Sequence, residues 1–186
     1  MKESELFEHQ SLEEVLEELM VEYGSAILKF IYSYVRNQHV AEDLSQEVFI
    51  KVYKNLHTYK GEASIKTWLF RIAANQCKDY FKSWHSRKVR VSNFVETYLK
   101  ANEQTPEQDA LNKSFSNELT KAVLSLPIKY REVIILYYFE EMSQSEMSEV
   151  LQLNISTVKS RLAKSRALLR KEMSEYDKEG SLHELG

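Results

Sequence analysis

The stretch SQSEMSEVLQLNISTVKSRLAKSRALLR, Ser143 to Arg170, decides how this chain is read. Ser143 can cap a short helix, and Glu146 three residues on completes a capping box. Met147, Val150 and Leu151 give that helix an apolar side. Gln152-Leu153-Asn154 makes a short turn, and Asn154 is a good N-cap for the next helix. Val158, Leu162 and Leu169 then face inward, leaving Thr157, Lys159, Ser160, Arg161, Lys164 and Arg166 on the other sides. A short capped helix, a three-residue turn and a basic helix without acids have the form of a helix-turn-helix. In that motif the start of the second helix enters the major groove. Arg or Lys can reach guanine edges there, and Ser or Thr can reach edges or phosphates. A helical hairpin with a solvated basic face is the competing reading.

The rest of the chain agrees with an all-helical protein. Its 186 residues include 4 Gly and 2 Pro, too few turn residues for a sheet-rich fold. Apolar residues recur at helical spacing along Leu12, Val15, Leu16, Leu19 and Met20, and again from Ile27 to Val35 after an interruption at Gly24. Val40, Leu44, Val48, Val52 and Leu56 predict a third helix, from about Val40, after a turn at Asn37 to His39. Gly61 breaks the pattern, and a further helix is expected from Ile65 to Trp84. Periodicity fades after His85 and resumes near Thr105-Pro106, a helix start with Pro at the first position. Helices are then expected over Phe115 to Leu124, Ile128 to Glu140 and Ile155 to Met173. The expected organisation is an acidic extension over 1–22, a first helical domain over 23–87, a flexible linker over 88–106, a second domain over 107–175 and an acidic tail over 176–186.

The formal net charge of −3 conceals a strong pattern. Residues 60–90 hold 8 Lys and Arg against 2 acids, and residues 157–171 hold 6 against none. Acidic stretches flank both blocks. Basic blocks invite a polyanion, although acidic proteins and membrane surfaces also attract them. The first block mixes aromatic and cationic side chains, the ingredients for holding unpaired bases. Trp68, Leu69 and Ile72 at helical spacing read as core, so the candidates there are the polar positions and the loop Tyr59 to Ser64. Gly61 permits a close backbone approach in that loop.

The lone cysteine, Cys77, excludes an internal disulfide and a cysteine-built zinc site. It lies on the apolar side of its helix and reads as core, with a redox role as the alternative. His9, His39, His57, His85 and His183 are scattered, and no phosphate loop or nucleophile motif occurs. No catalytic residue, metal or cofactor is expected. The longest apolar run, Val133 to Phe139, is far short of the about 20 residues of a membrane span, and Met1 to Glu5 lacks a signal core. A cytoplasmic protein without membrane insertion is expected.

Four strings resemble the bacterial extracytoplasmic-function (ECF) sigma factors. They are Ala41 to Phe49 (AEDLSQEVF), Thr67 to Asn75 (TWLFRIAAN), Leu126-Pro127 with Tyr130 to Val133 (YREV), and Thr157 to Leu162 (TVKSRL). They occur in the family's order, and the likeness spans about residues 20–172. The resemblance implies an all-α chain of two domains, sigma region 2 and sigma region 4. It implies that Asp43, Gln46 and Glu47 dock on core RNA polymerase. It implies that Asn75 and Asp79, with the loop at Tyr59, Lys60 and Gly61, read the promoter −10 element and hold a flipped base. Thr157, Lys159, Ser160, Arg161 and Lys164 would read the −35 element, and an anti-sigma factor would restrain the protein. Gln152 stands where the family commonly has a turn glycine. The alternative is a conventional helix-turn-helix regulator that binds duplex DNA without polymerase.

Overall fold

A computed structural model describes residues 11–91 and 118–183. The body of the expected linker, 92–106, the start expected at Thr105-Pro106, residues 1–10 and residues 184–186 lie outside the described residues. Among the described residues all regular structure is helical.

The first module holds three helices. α1 spans Leu12–Val35, α2 Gln38–Asn55 and α3 Ile65–Val91. A 3-10 turn at Leu56–Thr58 follows α2. Ser11 and Glu14 close a capping box at the start of α1, with the Ser11 Oγ accepting from the Glu14 amide at 3.2 Å. The helix therefore begins inside the stretch read as an acidic extension, and Val15 and Leu19 from that stretch are buried. The interruption expected at Gly24 does not occur. A glycine inside a helix costs about 1 kcal/mol. Each buried side chain on either side, among them Leu19, Ile27 and Phe30, contributes roughly 1.5–3 kcal/mol. Burial wins, and the helix runs through.

Arg36 ends α1 in the left-handed region at φ 53°. The Asn37 Oδ1 accepts from the Val40 amide at 3.0 Å and starts α2 two residues earlier than the apolar spacing suggested. Phe30 anchors the core, edge-on to Tyr34 at 5.1 Å and to Phe70 at 5.3 Å.

The second module begins with α4, Glu118–Ser125, and α5, Ile128–Ile134, separated by Leu126 and Pro127. A π-helical turn over Ile135–Phe139 replaces the last part of the single helix expected to reach Glu140. α6, Gln144–Leu151, and α7, Ile155–His183, follow. α7 and α3 both outrun their expected ends at Met173 and Trp84. No Gly or Pro stands before Gly180 in the one case or before Pro106 in the other, so nothing in the chain breaks the ladder.

The two modules touch. α3 packs against α6 and α1 against α5. One continuous apolar cluster runs from Val15 in α1 to Leu162 in α7. No described helix is long and apolar enough to cross a membrane.

Candidate nucleic-acid interface

The helix-turn-helix is formed by α6 and α7. Ser143 Oγ accepts from the Glu146 amide at 3.3 Å, and Glu146 Oε2 accepts from the Ser143 amide at 2.9 Å. The Ser143 hydroxyl, which donates to Glu146 Oε2 at 2.7 Å, and then the Ser143 amide hold the Glu146 carboxyl below its ordinary value. Gln152 closes α6 in the left-handed region at φ 58°, where its amide donates to the Ser148 carbonyl. A glutamine thus performs the turn that a glycine would adopt without strain. The Asn154 carbonyl accepts from the Thr157 and Val158 amides at 2.9 and 3.1 Å, opening α7.

Val158 and Leu162 are buried, and Leu169 is half-buried. Lys159, Ser160 and Lys164 are exposed, and Thr157 is half-buried. Their helix start offers free amides and a positive dipole end to a phosphate. Arg161 is placed differently from its neighbours. Its Nη1 meets Glu132 Oε1 at 2.6 Å, and the pair is 26% and 8% exposed. The arginine turns back onto α5 rather than outward with the lysines. Arg166 lies over Tyr137 and Tyr138 and donates from Nε to the Tyr138 hydroxyl at 2.9 Å.

Glu132 is the residue that spacing alone did not single out. It also accepts from the Tyr34 hydroxyl of α1 at 2.6 Å. Burial, and then the Glu132 charge, push the Tyr34 hydroxyl well above its ordinary value. Its neighbour Arg131 donates from Nε and Nη2 to the Leu126 carbonyl at 3.1 and 2.7 Å, and from Nη1 to the Ser33 carbonyl. Burial, and then the Arg36 charge, lower that guanidinium to about 10. A signal existed in the sequence. Ile128, Arg131, Glu132 and Ile135 share one helical face, so a charged pair interrupts an apolar stripe.

The first module offers a cavity of about 450 Å³ beside the loop after α2. Tyr59, Lys60, Ala63, Trp68 and Arg71 line it, together with Glu149 from α6. The Tyr59 hydroxyl donates to the Ala63 carbonyl at 2.6 Å, and its ring lies 5.4 Å from that of Trp68. Gly61 adopts φ 68°, a conformation that favours glycine. Trp68 is buried, as its helical spacing suggested. Asn75 is half-buried one turn beyond Arg71, and the exposed Asp79 lies a further turn on, 3.8 Å from Lys82. The structure thus groups Tyr59 and Lys60 around one cavity and sets Asn75 and Asp79 along the helix leading away from it.

On α2, Asp43, Gln46 and Glu47 are all exposed on one stripe, which continues to Ile50 at 53% exposure. Glu47 accepts from Gln76 Nε2, and Gln76 Oε1 accepts from Lys51, so α3 steadies this face. Ile50 is a second residue that charge and motif reading passed over. Cys77 is fully buried, and burial pushes its thiol up to about 12. That environment suits a core residue rather than a reactive thiolate.

Comparison with known proteins agrees with this layout. The family model for sigma-70 region 2 matches residues 19–87, and that for sigma-70 region 4 matches residues 116–169. The chain is 33% identical over 158 residues to the ECF RNA polymerase sigma factor SigW of Bacillus subtilis (strain 168), covering 81% of this chain and 84% of the relative. This chain belongs to the ECF sigma factors. The ECF sigma factor SigM of the same organism is 31% identical, over 83% of this chain and 93% of its own length. Among solved structures, the fold resembles the sigma factor RpoE in complex with the anti-sigma factor NepR from Bartonella quintana. That match has a TM-score of 0.66 at 22% identity, over 85% of this chain and 96% of that one. It also resembles CnrH in complex with the cytosolic domain of CnrY, at TM-score 0.63 and 21% identity, over 88% of this chain and 90% of that one. In this sigma factor, region 2 is therefore carried by α1 to α3 and region 4 by α4 to α7.

Proposed function

We propose that this sigma factor binds core RNA polymerase and directs promoter recognition, strand opening and initiation in the cytoplasm, for a stress or envelope response under anti-sigma control. The observation that carries the reading is the pairing of two unlike surfaces, each bearing cations, in one chain. One is a polar cavity lined by the rings of Tyr59 and Trp68, the cations Lys60 and Arg71 and the carboxylates Glu62 and Glu149, which offers stacking faces and both donors and acceptors to an unpaired base. The other is a helix start with exposed lysines, suited to a major groove. Asp43, Gln46 and Glu47 are the proposed polymerase contacts. Tyr59, Lys60, Gly61, Asn75 and Asp79 serve the −10 element. Thr157, Lys159, Ser160 and Lys164 serve the −35 element. Arg161 supports that reading by fixing the helix through Glu132.

Strand opening costs roughly 1.4 kcal/mol per stacked step. One shaped pocket offsets a few kcal/mol of unstacking. A chain of this size therefore needs polymerase to hold a bubble, and the free chain is expected to bind duplex promoter poorly. Run-off transcription tests the proposal. Core polymerase plus this chain should initiate at defined sites in a promoter library. Absence of transcripts from every template, or tight sequence-specific duplex binding by the free chain, contradicts it.

A further inference from the structure

Arg166 stands outside the residues assigned to either promoter element, yet its exposed side chain is held in one pose. Its Cζ lies 5.1 Å from the centre of the Tyr137 ring and 5.6 Å from that of Tyr138. Its Nε donates to the Tyr138 hydroxyl at 2.9 Å. Consecutive residues of an α-helix point about 100° apart. The π turn over Ile135–Phe139 carries both tyrosines, whose rings meet edge-on at 4.9 Å, and brings both to one guanidinium. Tyr138 is 52% exposed, so core burial does not account for a large ring at that position. Among the described residues Arg166 has no carboxylate partner, and its two Nη atoms make no hydrogen bond.

Val158, Leu162 and Ser165 of α7 face the core, so the opposite edge of the helix carries Ser156, Ser160 and Ala163, all exposed. Small side chains there let the helix sink into a major groove about 12 Å wide. Lys159 and Arg166, seven residues apart, share one flank of that edge, and Lys164 stands on the other. A helix in the groove meets base edges beneath it and phosphates at its sides. We propose that Tyr138 is a positioning residue that presents Arg166 to a phosphate of duplex DNA, so that the −35 surface extends from α7 onto the π turn. This rests on the promoter reading above and deepens it. A free arginine must freeze its rotors to bind a phosphate, and here the tyrosine pair sets them beforehand. With Nε committed to the hydroxyl, the two Nη atoms form the fork that a phosphate accepts. The contact carries no sequence information, and its ligand is the phosphodiester alone.

Binding of the full chain to a labelled, mixed-sequence duplex of about 20 base pairs over a salt series tests this, because phosphate contacts supply nearly all sequence-independent affinity. Arg166→Ala should weaken binding about fivefold at about 50 mM salt and lower the slope of log affinity against log salt by about 1. Tyr138→Ala should lose about threefold, and Tyr138→Phe, which keeps the ring, should recover most of that loss. In the Arg166→Ala background the Tyr138→Ala change should be silent within about 1.5-fold, the non-additivity of two groups that act as one. Tyr138→Gln replaces Tyr138→Ala if the latter fails to melt cooperatively. An unchanged salt slope in Arg166→Ala overturns the proposal. So does tighter binding by Tyr138→Ala, which would mean that the tyrosines withhold the arginine, and so do losses that simply add in the double variant. No measurable duplex binding by the parent chain at the lowest salt overturns it as well. The assay needs neither polymerase nor a promoter, so its failure and a failed run-off assay are separate results.

Discussion

The two basic helices, α3 and α7, begin from similar sequence and end in opposite situations. Residues 60–90 and 157–171 each carry an excess of six positive charges. On α3, Lys66 and Lys78 are held by region 4, and burial lowers the Lys78 ammonium below its ordinary value. On α7, Lys159 and Lys164 project into solvent, and only the Arg161 guanidinium is drawn inward. Charge on a helix therefore does not say whether the charge is available. Availability depends on what packs against it, and in this sigma factor the two basic helices differ for that reason.

The sharpest way to break the comparison is Glu132→Ala. It leaves the buried Tyr34 hydroxyl without its acceptor and the partly exposed Arg161 without its ion pair, and an unsatisfied buried polar group costs about 1–3 kcal/mol. Thermal unfolding should shift down by roughly 2–12 °C. A shift within the scatter of surface substitutions would mean that Arg161 is as free as its lysine neighbours. Lys164→Ala should do the reverse and leave melting unchanged within ~0.5 kcal/mol. A base contact there should cost about 1–3 kcal/mol in promoter affinity and relax specificity, whereas a phosphate contact should weaken all sequences alike and lower the salt slope by about 1. Run-off transcription across ionic strengths separates these outcomes, and no effect at any salt removes Lys164 from the interface.

Much of this was legible in the chain. The Ser143 and Glu146 box, the inward Val158 and Leu162, and the core role of Trp68 all follow from local spacing. Gly24 was misread, because a local propensity cost was set against burial that only the folded bundle supplies. Arg161 shows a second limit. Periodicity placed it on a polar side of α7, but its partner Glu132 is 29 residues away on another helix. The contact between the modules was the least legible feature. It depends on a shared apolar cluster and on carboxylates at Glu132, Glu140 and Glu146 that sequence alone shows only as scattered acids.

Two smaller effects sharpen the picture. Cys77 and Tyr34 belong to the buried side, and burial raises both groups. A group whose folded value lies above its unfolded value contributes stability below the unfolded value and loses it as pH rises toward the folded one. For Cys77 that window runs from its ordinary 9.0 to about 12. Stability should therefore fall by about 1 kcal/mol between pH 8 and pH 10, and Cys77→Ala should flatten that decline in denaturant titrations. An equally steep decline in the variant would assign it to other groups. Smallest of all, Gly24→Ala should raise stability by about 0.5–1 kcal/mol, since a Cβ there meets nothing within 4 Å. A loss of stability would place an unseen constraint on α1.

The central claim is that one chain carries two readers for separate stretches of the same promoter. Tethering a hydroxyl-radical source at residue 60 in one holoenzyme and at residue 164 in another tests it most directly. The account predicts cleavage of an unpaired strand from position 60 and of duplex ~25 base pairs upstream from position 164, a separation on the order of 85 Å. Cleavage of the same segment from both positions would contradict it.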